Sequence, residues 1–173
     1  MSDQTIDITK TVRTNWDVSW NGHTLGGCNK VDLSNLKLKT EPVMVGSLGA
    51  MKLDDRVIGL EDGASIKVEV REITRTQIER AIPWFSGASN TGNIELIPPI
   101  NTLLASNYAH ALVLHPRGAA DAYQDINLTK AVPVQLMNLS RDGTKDDVWE
   151  LEFKIYPDLS VTFPANPYGH VGA

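Results

Sequence analysis

Apolar and polar residues alternate with a period of two along most of this chain, the mark of strands with one buried face. Trp16, Val18 and Trp20 alternate with Asp17, Ser19 and Asn21. Asn21-Gly22 predicts a tight hairpin turn, because both residues tolerate positive φ. It leads into a strand from His23 to Cys28 that Gly26-Gly27 is expected to end. Leu36 and Leu38 alternate with Lys37 and Lys39, and Val43 and Val45 continue past Pro42. Proline cannot donate to a ladder, so this strand is expected to be an edge there, or broken. Between Gly46 and Asp55 the Met51-Lys52-Leu53-Asp54 alternation predicts a protruding β-hairpin or long loop over Glu41 to Arg56. The clearest strand covers 65–71, with Ile66, Val68 and Val70 on one face and Ser65, Lys67, Glu69 and Arg71 on the other.

The last third returns to strands. Ala109 to Leu114 is apolar enough for a buried strand, and Ile126 and Leu128 alternate with Asn127 and Thr129. Val132, Val134 and Leu136 alternate around Pro133, and Asp142-Gly143 predicts a turn. Trp149, Leu151, Phe153 and Ile155 then alternate with Glu150, Glu152 and Lys154. One helix start is well marked: Thr74 and Gln77 make a capping box, with Ile73 and Ile78 placed as its hydrophobic staple. Ile78, Ala81, Ile82 and Phe85 follow at helical spacing, and Pro83 ends the helix near Ile82. A second short helix over Asn101 to Asn107, capped by Asn101, is also expected. The economical fold is mainly β, of the α+β type: two packed antiparallel sheets, a sandwich or partly closed barrel, with one flanking helix. Residues 1–14 read as a flexible polar arm, 15–163 as a single domain, and 164–173 as an irregular tail.

Composition narrows the function. The chain has 173 residues, 42% hydrophobic and 21% charged, which is ordinary for one globular domain. Its formal net charge is -5, which argues against a protein that grips nucleic acid through excess Lys and Arg. The single cysteine, Cys28, excludes an intramolecular disulfide. No leader-type apolar run opens the sequence and no membrane-length apolar stretch occurs, so synthesis in a cytoplasm and no membrane anchor are expected.

Catalytic motifs are scarce. His23, His110, His115 and His170 do not fall at metal-ligand spacing. His23 and Cys28 share a hairpin, but a zinc site needs three or four ligands, so a surface turn and a small hydrophobe are expected. His115, before Pro116 at a strand end, reads as a loop residue. The Asp54-Asp55 and Asp146-Asp147 pairs read as solvated turns. Trp16 and Trp20 lie on one strand face; a sugar platform is conceivable, but a core or interface contact is the expected role. No nucleophile motif or phosphate loop is complete, so no enzyme, metal or cofactor is expected.

Particular stretches carry a resemblance. They are Trp16-Asp17-Val18 with Gly26-Gly27-Cys28-Asn29-Lys30-Val31-Asp32; Glu41-Pro42-Val43 with Gly46; Ile58-Gly59-Leu60 with Ser65-Ile66-Lys67-Val68-Glu69-Val70; His115-Pro116 with Lys130-Ala131-Val132-Pro133; and Val148-Trp149-Glu150-Leu151-Glu152-Phe153 leading to Tyr156-Pro157-Asp158. In this order, from about Trp16 to Asp158, they resemble the major tail tube proteins of long-tailed, non-contractile bacteriophages, the siphovirus-like type.

The resemblance implies two roughly orthogonal sheets with a flanking helix, and hexameric rings that stack into a hollow tube. It implies a place in the virion tail, after synthesis in the host cytoplasm. Partners would be further copies of the chain and other tail proteins: tape measure, tail terminator and tail tip. DNA would pass through without specific binding. Candidate lumen-facing residues are Lys67, Glu69, Arg71, Glu150, Glu152 and Lys154. Candidate inter-ring contacts are Glu41, Val45, Leu48, Met51, Leu53, Asp55 and Arg56. The alternatives are another β-rich virion protein (head–tail completion or capsid decoration) or a monomeric carbohydrate-binding module.

Overall fold

Asn21 and Gly22 adopt φ values of 52° and 71°, and the turn they form joins Trp16–Trp20 to His23–Asp32 as an antiparallel hairpin. The computed structural model describes residues 15–45, 51–71, 74–82, 85–86, 95–96, 101–119, 122, 124–135, 139–142, 145–161 and 167–172. The expected arm over 1–14, Leu48, Ile73, Pro83, Leu136 and Gly143 lie outside them. In chain order the described elements are β1 (Trp16–Trp20), β2 (His23–Asp32), β3 (Leu38–Val45), β4 (Met51–Leu60), β5 (Ser65–Val70), α1 (Arg75–Ala81), β6 (Phe85–Ser86), β7 (Glu95–Leu96), α2 (Leu104–Asn107), β8 (His110–Pro116), β9 (Ile126–Pro133), β10 (Leu139–Asp142), β11 (Lys145–Ile155) and β12 (Gly169–Val171).

The main sheet is a barrel rather than a sandwich. Its strands run β11-β5-β2-β1-β8-β9, and β9 then pairs back onto β11 to close the ring. Closure works because β9 and β11 each divide an edge between partners. On β11, Leu139 pairs with Trp149 from β10, while Phe153, Lys154 and Ile155 pair with Pro133, Val132 and Ala131 of β9. On β9, Leu128, Asn127 and Ile126 take β12 instead. Of the two expected arrangements, a sandwich or a partly closed barrel, the barrel is observed; alternation left the choice open because both bury one face of each strand.

That buried face fills the barrel interior, as side chains do in small barrels. Val18, Trp20, Leu25, Ile66, Val68, Val70, Leu112, Leu114, Trp149, Leu151 and Phe153 are all buried. Trp20 is central. Its Nε1 donates to the Ala131 carbonyl at 2.9 Å, its ring meets His110 edge-on at 5.3 Å, and Phe153 lies 6.2 Å away. The hydrogen bond ties β1 across the interior to the closing strand β9.

Helix α1 begins as expected. Gln77 N–H donates to Thr74 Oγ1 at 3.3 Å, and Thr74 N–H donates to Gln77 Oε1 at 2.7 Å. It buries Ala81 and packs on β2. Three local expectations change. Gly26-Gly27 does not end β2, because the ladder with β1 accommodates Leu25 in a bulge and the strand runs on to Asp32. Asn101 does not cap α2; it sits at φ 58°, and the helix starts at Leu104. The tail is not wholly irregular, since Gly169–Val171 pairs with β9. A β-carbon at Gly169 would run into the Asn127 carbonyl, so glycine permits that pairing.

Beyond β11 the chain is pinned by Asp158. Its carboxylate accepts from Ser160 Oγ at 2.8 Å and Ser160 N–H at 3.1 Å, and lies 3.0 Å from Lys130 Nζ. The Ser160 hydroxyl, then Lys130, hold its pKa down to about 2. A depressed carboxyl favours the fold above its unfolded pKa of about 3.9 and loses that contribution as pH falls through about 2.

Two tests follow from this packing. Trp20→Phe should cost about 2–4 kcal/mol in urea unfolding, since it orphans the Ala131 carbonyl and removes buried volume. Trp149 Nε1 is buried without an acceptor, so Trp149→Phe should cost at least about 1 kcal/mol less. Equal losses would show that the Trp20 bond is not a distinctive tie. Carboxyl NMR should place the Asp158 midpoint near 2, and Ser160→Ala should raise it; an unchanged midpoint would remove Ser160 as the main cause.

Candidate functional site

With the apolar residues inside, strand alternation sends their neighbours to the barrel's outer surface. On β2, β5 and β11 these neighbours are charged. Lys30 stands opposite Glu69, Asp32 opposite Lys67, Glu69 opposite Glu150, and Lys67 opposite Glu152. The Glu69–Glu150 pair would be repulsive alone. Lys30 Nζ lies 3.3 Å from Glu69, and Lys67 Nζ lies 3.7 Å from Glu150 and 3.9 Å from Glu152. Glu69 is therefore paired with Lys30, while Glu150 and Glu152 share Lys67. Such half-exposed pairs each contribute less than about 1 kcal/mol and weaken with salt. Asp32 is also held below the usual carboxylate range, chiefly by the Ser34 hydroxyl and backbone N–H.

Of the candidate lumen residues, Lys67, Glu69, Glu150, Glu152 and Lys154 share this outer surface. Lys154 sits over the Tyr156 ring at 5.6 Å. Arg71 leaves the ladder. It lies past the end of β5 and turns to Asn29, the bulge residue between Cys28 and Lys30. Ser65, though on the charged side by alternation, is buried and accepts from Asn35 Nδ2 at 3.2 Å.

The candidate contact segment Glu41 to Arg56 belongs to a longer hairpin. β3 and β4 pair from Leu38↔Leu60 to Val45↔Met51 and, among the described residues, join no other strand. Arg56 donates to Glu41 at 2.8 Å across the pair. Asp55 stands opposite Pro42, and Leu53 is the extra residue of a bulge opposite Val43 and Met44. The hairpin's base is fastened by Leu60 N–H to the Tyr168 hydroxyl at 3.3 Å and by Lys39 to Asp62 at 3.0 Å. Its apolar side chains are conspicuously uncovered: Leu38 is 61% exposed, Val57 55%, Ile58 50% and Val43 39%.

The remaining candidates separate cleanly. Trp20 is buried in the core and Trp16 is partly buried against it, so the two do not form an open sugar platform. Cys28 points inward, and burial pushes its thiol up to about 11, while His23 is exposed at the other end of the strand. Among the described residues no group of three or more His, Cys, Asp or Glu is placed to hold a metal. Among them, too, no helix is long and apolar enough to cross a membrane. His115 is a strand residue rather than a loop one; it faces Asp17 across β1–β8, and its Nδ1 lies 2.6 Å from Asp125 Oδ1.

Sequence reasoning missed Arg117, whose Nη2 lies 2.8 Å from Asp17 Oδ1. Asp17 was visible as a polar strand position, but the β1–β8 pairing joins residues about a hundred positions apart and leaves no local signal. No protein-family model matches the sequence, and no curated protein matches it.

Burial makes Cys28 a reporter of the fold. Iodoacetamide at pH 8 should leave it unmodified in native protein and alkylate it in urea; rapid native labelling would mean that the β1–β2 hairpin opens readily.

Proposed function

We propose that this chain is a structural subunit that assembles with copies of itself into stacked hexameric rings, forming the tail tube of a non-contractile phage through which DNA is ejected. One observation carries the reading most of all: among the described residues the Leu38–Leu60 hairpin pairs with no other strand and leaves the apolar side chains of Leu38, Val43, Val57 and Ile58 uncovered. Exposed apolar groups on an unpaired ribbon are stabilised when another copy covers them. The family resemblance supplies the ring and the tube.

The charged outer face suits a conduit. Lys30, Lys67 and Lys154 stand among Asp32, Glu69, Glu150 and Glu152, so the patch is nearly balanced with a slight acidic excess. Cations already engaged by carboxylates offer little to a phosphate backbone, and counterion release on contact is small. DNA can slide past such a wall without adhering. Contacts between stacked rings extend an open filament, while contacts within a ring must close by rotation.

Trp20 and Trp16 weigh against the carbohydrate module, because a sugar needs an open aromatic face.

Deleting residues 46–54 should abolish tube formation in a pelleting assay and leave the melting temperature nearly unchanged, since Met51, Lys52 and Asp54 pair with β3 of the hairpin rather than with a barrel strand. Tubes of normal length from the deleted protein would remove the hairpin from the assembly contacts.

A further inference from the structure

Residues 167–172 lie along the barrel as a strap. Asp158 N–H donates to the Pro167 carbonyl at 2.7 Å, and Thr129 N–H donates to the Tyr168 carbonyl at 3.0 Å. At the far end Gly172 N–H donates to the Asp125 carbonyl at 2.8 Å, and Asn127 Nδ2 donates to the Gly172 carbonyl at 3.2 Å. Between these ends β12 pairs with Ile126, Asn127 and Leu128 of β9. His170 and Val171 are exposed, so the strand is fastened by hydrogen bonds and adds little apolar burial. A segment held in this way opens locally before the packed barrel does.

Tyr168 carries the strap to the ribbon. Its ring packs against the core, and its hydroxyl accepts from Leu60 N–H at 3.3 Å, at the root of β4. Leu60 is itself half-buried against the core, where an amide without a partner is costly. Two glycines make this fit. At Gly59, with φ 147°, a β-carbon would lie 2.9 Å from the Tyr168 hydroxyl oxygen. At Gly169, with φ 139°, a β-carbon would run into the Asn127 carbonyl and lie 2.8 Å from Leu128 Cα, so a side chain there would lift the strap off β9.

We propose that residues 167–172 are a releasable clamp that sets the pose of the β3–β4 ribbon relative to the barrel. With β12 seated on β9, the Tyr168 hydroxyl holds the root of β4. With β12 lifted, that hold is lost, and the ribbon swings on its connecting segments 33–37 and 61–64. The ribbon itself stays intact, because its ladder runs over the eight residues of β3 whereas β12 has three. The clamp acts within one chain; its consequence for assembly rests on the tube reading, in which the ribbon meets a neighbouring copy. There the coupling is reciprocal: a copy that takes the ribbon in this pose also favours the seated strap.

The test follows amide exchange and residual dipolar couplings of the full chain by NMR at low concentration. Couplings of ribbon amides within 38–41 and 56–60 should fit the alignment frame of the barrel strands. Tyr168→Phe should speed exchange at Leu60 roughly tenfold and take the ribbon couplings out of that frame, with the β12 amides unchanged. Gly169→Ala should do the same to Leu60 and the ribbon while leaving Tyr168 in the sequence; the β12 amides should also exchange faster, and Val68 and Leu151 should keep their protection. A local packing role for Tyr168 would leave Leu60 unmoved in Gly169→Ala. Unchanged Leu60 exchange in either variant, or ribbon couplings that keep the barrel frame in both, overturns the proposal. Tube pelleting is scored separately: a wild-type chain that forms no tubes removes the tube reading, and the exchange result still decides the clamp.

Discussion

Closure of the barrel by the β9–β11 pairing is the constraint on which the rest of the structure depends. Without it, β9 and β11 would each present an open edge, and the interior filled by Trp20, Trp149 and Phe153 would face water. With it, the large apolar residues of the ring turn inward and the charged residues between them on β2, β5 and β11 turn outward. The charged ladder on β2, β5 and β11 is thus a consequence of filling the interior. The Trp20–Ala131 hydrogen bond and the Lys130–Asp158 contact both act at the same seam, one from inside and one from outside.

Closure also concentrates the opportunity for association. A ring of paired strands has few free backbone groups to offer another chain. Outside the ring, the longest pairing is the β3–β4 ribbon, whose strands, among the described residues, pair only with each other. Its apolar residues would be costly to leave in water, while the cross-strand Arg56–Glu41 pair bridges its two strands and Tyr168 and Asp62 fasten its base. A rigid, closed body with an extended apolar ribbon suits repeated addition of identical copies better than it suits capture of a small molecule.

Much of this was legible in the chain because local rules operate locally. Asn21-Gly22, the Thr74–Gln77 box and the Ile66, Val68, Val70 face each depend on residues a few positions apart, and each forms as expected. The hairpin was legible as well, although its paired length extends from Leu38 to Leu60, beyond the Glu41–Arg56 estimate. What was hidden is non-local. Nothing near Pro133 announces Phe153 as its partner, and nothing near Arg117 announces Asp17. Arg71 shows the same limit: alternation put it in line with Lys67 and Glu69, but the bulge at Asn29 drew it elsewhere.

Cryo-electron microscopy of the intact chain at high concentration tests self-assembly most directly. The account predicts hollow filaments of stacked rings, with the 38–60 ribbon lying against a neighbouring copy and the Lys67–Glu150–Glu152 face turned to the channel. Particles that stay monomeric at every concentration and ionic strength, with Leu38, Val57 and Ile58 still facing water, would contradict it.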